Sequence, residues 1–180
     1  MMLLRHAPRP LPMNALLLLL LALTLALPAR AADKPFAVNG VGLGSVEADI
    51  KKRYPAAHCK PLEWKTDAAD RRCDDSRVVV QGSESRITYY LKAGSVVAFD
   101  VRFDSTETPR FVRGLRGDWG APKSESKDVI AKKGKEDREV YKALWEQGRD
   151  RALLTSMQDK KRAQLEVSRG GFADEVYRVR

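Results

Sequence analysis

From Val96 to Phe103 apolar and polar side chains alternate: Val97, Phe99, Val101 and Phe103 form one set, Asp100 and Arg102 the other, with the small Ala98 between. Successive residues of an extended strand point to opposite faces, so this period of two demands a strand with one buried and one solvated side. Such a strand needs partners on its edges and a cover for its apolar face. Both are legible upstream. Arg77 to Gln81 is a β-branched run, Gly82 to Glu84 reads as a turn, Ile87 to Leu91 as a strand, and Lys92-Ala93-Gly94-Ser95 as a hairpin loop.

Two segments carry helical spacing and can supply the cover. Ser45 is a good N-cap, and Val46, Ile50 and Tyr54 follow on one face before Pro55 ends the run. Glu47 and Asp49 at its start and Lys51, Lys52 and Arg53 at its end suit the helix dipole. The second helix is predicted from Thr108 as N-cap and Pro109 at the first helical position. Phe111, Val112, Leu115 and Trp119 share one arc, Arg110, Arg113 and Arg116 another, and Gly120 and Pro122 close it. A second meander follows at Val140–Trp145, Arg151–Met157 and Ala163–Ser168. Residues 123–139 between helix and meander, charged and poor in large apolar groups, read as an exposed loop or a frayed edge hairpin.

The order helix, strands, helix, strands predicts an α+β fold in which two helix-plus-antiparallel-meander modules, at about 36–104 and 105–170, form a two-layer sandwich. Ahead of them, Arg5, His6 and Arg9 precede an apolar run from Ala15 to Leu27 and a small-residue exit at Pro28-Ala29-Arg30-Ala31. That layout predicts a signal peptide over residues 1–31, cleaved before Ala32, with release into the periplasm and no membrane span afterwards. The remaining 149 residues, 32–180, fit one domain. They carry 30 basic against 24 acidic side chains, a net +6 compared with +9 for the precursor. A basic exported chain meets acidic proteins, anionic envelope polymers or lipid surfaces, and nucleic acid is not expected in that compartment. Cys59 and Cys73 lack the C-x-x-C spacing of a redox site, and export makes a structural disulfide the default.

Gly42-Leu43-Gly44-Ser45, followed by Val46 and Ile50, resembles the helix start of the BamE/SmpA family, and Trp119-Gly120-Ala121-Pro122 is similar to the helix exit of those modules. The β-lactamase inhibitor protein and its relatives use tandem modules of the same kind. The resemblance implies exported, non-catalytic domains whose exposed surfaces bind other proteins. It covers about a quarter of the mature chain and carries over no binding residue. The acylated cysteine of BamE-type lipoproteins is absent after the apolar run.

Chemistry-bearing patterns are sparse. His58 is the one histidine after the leader, so a catalytic triad or a histidine metal site would depend on it alone. Gly40-Val41-Gly42-Leu43-Gly44 lacks the spacing of a dinucleotide loop, and reads as a close-packed entry to the first helix. Adjacent acids at Asp74-Asp75 and Glu136-Asp137 point apart and read as solvated surface. No cofactor or metal is expected and no catalytic residue is assigned. The positive leads are basic: Arg110, Arg113 and Arg116 on one helix face, and Lys160, Lys161 and Arg162 on one turn, whereas Lys132, Lys133 and Lys135 are diluted by nearby acids. Lying together, the two patches would dock an acidic partner. Otherwise they are a solvated helix face and an edge-blocking turn. The leading expectation is a non-catalytic protein-binding domain, either an inhibitor or immunity factor or an envelope-assembly accessory, whose partner is another envelope protein. Binding of an anionic polymer or lipid, and a small hydrolase with an unrecognised site, are the alternatives.

Overall fold

The computed structural model describes residues 34–131, 137–172 and 175. The leader, its cleavage point and the Lys132, Lys133, Lys135 and Glu136 positions lie outside the described residues. A short hairpin of β1 (Ala37–Val38) and β2 (Val41–Gly42) opens the domain, followed by α1 (Glu47–Arg53). Next come β3 (His58–Pro61), β4 (Arg71–Val80), β5 (Ser83–Lys92) and β6 (Ser95–Phe103). After α2 (Thr108–Trp119) the chain runs through β7 (Ser124–Ile130), β8 (Arg138–Gln147), β9 (Asp150–Met157) and β10 (Arg162–Arg169). Strands β3 to β10 form one sheet in the order β3-β4-β5-β6-β10-β9-β8-β7, antiparallel throughout.

This corrects the expected fold class. Strand accounts for 53% of the described residues and helix for 20%, so the molecule is mostly one antiparallel sheet and not a balanced two-module α+β sandwich. The physical reason is backbone pairing that side-chain pattern does not reveal. All of β7 is exposed, Val129 and Ile130 included, yet it gains a full ladder from β8, so the start of the segment 123–139 is the edge strand of a hairpin and not a loop. The first half of β4 is mostly polar and is held between β3 and β5.

The apolar set on one face of the sheet meets both helices in a single core. Ile87, Tyr89 and Leu91 of β5, Phe99 and Val101 of β6, Leu154 of β9 and Leu165 of β10 pack with Ile50 of α1 and with Phe111 and Leu115 of α2. Phe103 and Phe111 stack with ring centroids 3.9 Å apart, and Trp119 meets Trp145 edge-on at 5.9 Å. The β6 alternation holds from Ala98 to Phe103 and breaks at its start. Tyr90 opposes Ala98 while Leu91 opposes Val96, leaving Val97 as the extra residue of a bulge. Val96 therefore enters the core, and Val97 joins a smaller cluster on the opposite face with Tyr90, Ala98, Trp64 and Phe172.

Local capping also departs from expectation. The N-cap of α1 is Val46, one residue past Ser45, and its N–H donates to the Asp49 carboxylate at 3.0 Å. Ser45 Oγ instead accepts from the Gly42 N–H, 3.1 Å away. Thr108 lies inside α2 and donates to Ser156 Oγ at 2.8 Å, while Asp104 caps the preceding 3₁₀ turn. The glycines have packing roles. A side chain on Gly42 would lie 2.1 Å from the Phe36 carbonyl oxygen, and Gly114 leaves room for Gln81, which lies across α2 and donates to Asp118. Cys59 and Cys73 are directly opposed on β3 and β4 and are joined by a disulfide. With a separation of 14 residues the bridge contributes about 3 kcal/mol on loop-entropy grounds. Among the described residues no helix is long and apolar enough to cross a membrane.

Candidate functional site

The face of the sheet turned away from the helices is polar at the end where β5 begins and β6 finishes. Arg86 and Arg102 are exposed and directly opposite one another across the β5–β6 pair. Because β10 pairs with β6, its first residue, Arg162, and the preceding Lys160-Lys161 turn arrive at the same end. Arg77 on β4 completes the set. Together these residues line a groove of about 850 Å³ that holds six cations against two carboxylates, Glu84 and Asp104.

Like charges directly opposed on neighbouring strands destabilise a sheet, so Arg86 facing Arg102 works against folding. The groove does little to offset it internally. Among the described residues, no ion pair engages Arg77, Arg86, Lys160, Lys161 or Arg162. Arg102 is the exception, with Nε 3.3 Å from Asp100 Oδ1. The Asp104 carboxylate is occupied by the backbone and hydroxyl of Thr106, at 2.9 and 2.8 Å, and these hydrogen bonds hold it below the ordinary carboxylate range. What results is a trough with a net excess of positive charge, built on four strands.

The two predicted basic patches therefore have different settings. Lys160, Lys161 and Arg162 line the groove, whereas none of Arg110, Arg113 and Arg116 does. Arg110 donates to the Gly82 carbonyl at 3.1 Å and pairs with Glu107 at 3.2 Å, and Arg116 pairs with Glu125. Arg113 is exposed on α2 and has no ion pair among the described residues. The edge-blocking reading of the Lys160 turn is corrected by the strand order, since β9 and β10 are both interior strands. Sequence reasoning missed Arg77, Arg86 and Arg102 as site residues. Arg102 was visible at a polar position of the β6 alternation, but only the register across β5, β6 and β10 brings these cations together.

Behind the groove lies a polar row on the same face, three of its four members carboxylates. Asp74, Thr88, Asp100 and Glu166 are successive cross-strand neighbours on β4, β5, β6 and β10. Asp100 is buried and pushed up to about 6, chiefly by desolvation, with Glu166 adding to the rise and Arg102 opposing it. Tyr90 Oη lies 3.4 Å from Asp100 Oδ2. The acids singled out in the sequence have structural partners. Asp74 pairs with Arg72 at 3.0 Å and accepts from Thr88 at 2.9 Å, and Asp75 accepts from the Arg77 N–H at 3.0 Å. His58 is exposed on β3, opposite Asp74. Glu47 lies beside Cys59 and Cys73, but both sulfurs are consumed by the disulfide.

No family model matches the chain, and neither the curated proteins nor the solved structures provide a match. The likeness to the BamE/SmpA family and to the β-lactamase inhibitor protein rests on the quoted helix starts and exits alone.

Proposed function

We propose that the chain is an exported, non-catalytic binding domain of the periplasm that docks an acidic partner protein along the basic groove, as an inhibitor or immunity factor or as an accessory in envelope assembly. The observation that carries this reading is the opposition of Arg86 and Arg102 beside Lys160, Lys161 and Arg162, a concentration of charge whose cost to the sheet an acidic partner offsets. Guanidinium groups suit carboxylates because their planar fork makes paired hydrogen bonds. The Cys59–Cys73 disulfide is compatible with an oxidising compartment.

Affinity capture from a periplasmic extract tests the proposal. At about 0.15 M ionic strength the tagged mature chain should retain an acidic protein at a fixed stoichiometry. The double variant Arg86→Glu, Arg162→Glu should not. Recovery of polysaccharide or lipid alone, released by a modest increase in salt, would favour the anionic-polymer reading. Retention of the same protein by the double variant would show that the groove is not the docking site.

A further inference from the structure

We propose that Asp100 is a positioning residue for the groove: ionised, it holds Arg102 back against the sheet, and protonated, it releases that guanidinium to the acidic partner. The inference rests on the docking reading above and concerns how the same site is regulated.

Among the described residues, Arg102 is the one groove cation whose side chain makes an ion pair, and its partner Asp100 lies outside the groove lining. Its side chain is 52% exposed, while the Asp100 side chain it contacts at 3.3 Å is 11% exposed. One end of the ion pair thus faces the partner's position and the other faces the sheet. Every element packed against Asp100 presents a defined group. On β5, Thr88 is directly opposite and Tyr90 offers its hydroxyl at 3.4 Å. On β10, Glu166 is directly opposite and accepts from Gln164 at 3.0 Å. On β4, Asp74 follows in the same row, paired with Arg72. Two further carboxylates therefore flank Asp100, and Arg102 is its own cation.

A buried carboxylate beside like charges takes up a proton more readily than an exposed one, which places its titration near 6. The direction of the effect follows. Above that value Asp100 is charged and competes with the partner for Arg102. Below it the competition ends and one negative charge leaves the neighbourhood of the groove. Both changes favour an anionic partner, so docking tightens as pH falls.

The test uses the full mature chain and an oligo-aspartate peptide as probe, with affinity measured calorimetrically between about pH 7.5 and 5.5, a window that brackets Asp100 and leaves lysines and arginines charged. The wild type should tighten by about fivefold on acidification. Asp100→Asn, which keeps the side-chain shape, should bind tightly at both ends and change less than about twofold. Arg102→Gln, with Asp100 intact, should bind weakly and lose most of the response. The probe itself loses charge at lower pH, so tightening cannot originate there. A wild-type affinity that is flat or falls on acidification, or an Asp100→Asn protein that still tightens, would overturn the latch and leave docking standing. Absence of binding at every pH would overturn the docking reading and the latch with it.

Discussion

Replacing Phe111 with alanine is expected to destabilise the domain by about 3–5 kcal/mol, the range for removing a fully buried aromatic ring. Phe111 is fully buried, stacks flat on Phe103 and belongs to the same core as Leu115 of α2 and Phe99 and Leu165 of the sheet. The ring sits between α2 and Phe103 of β6, so its loss leaves a cavity between helix and sheet. A domain of this size has roughly 5–15 kcal/mol in hand, and the variant should approach the limit of folding. Denaturant titration would measure it, with Val79→Ala as the reference. Val79 is 61% exposed, and its truncation should change stability by less than about 0.5 kcal/mol. A loss below about 1 kcal/mol for Phe111→Ala would mean that α2 does not cap the core as described.

Reversing two groove charges should have the largest effect on binding. Arg86 and Arg162 come from different strands and are free of ion pairs among the described residues, so their reversal breaks no internal bridge. In Arg86→Glu, a like-charge opposition across the β5–β6 pair becomes an opposite-charge pair with Arg102, which should if anything stabilise the sheet. Affinity should fall even so, because each reversal replaces attraction with repulsion toward an acidic ligand. About 1.4 kcal/mol per site gives a weakening of roughly 100-fold for the double variant. The matched control is Arg110→Glu with Arg113→Glu on α2, expected to stay within about threefold of wild type. A protein that gains stability while losing binding would separate function from folding at this site. Equal losses in the groove and on α2 would indicate general electrostatic attraction and no docking site.

The sequence was informative where burial and local chemistry act on neighbouring residues. Phe111, Val112 and Leu115 lie on the buried arc of α2 as the spacing required, and Phe99, Val101 and Phe103 enter the core from β6. Cys59 and Cys73 are paired. Legibility ended where backbone geometry or distant pairing takes over. Val97 carries an apolar side chain in phase with Phe99, yet a bulge moves it to the other face. No side chain of β7 is buried, not even Val129 or Ile130, because the strand is held by its ladder to β8. The groove depends on β6 lying beside β10, a pairing between strands separated by α2 and three further strands. Only that non-sequential contact brings Lys160, Lys161 and Arg162 to Arg102 and Arg86, while Arg110, Arg113 and Arg116 do not line the groove.

Mapping backbone amide shifts during titration with an acidic ligand tests the central claim most directly, since it reports where the ligand sits without altering the protein. The groove predicts saturable shifts gathered at Arg77, Arg86, Arg102 and the Lys160–Arg162 turn, with α2 silent at Arg110 and Arg113. Shifts centred on the α2 arginines, or spread evenly over all basic residues without saturation, would contradict it.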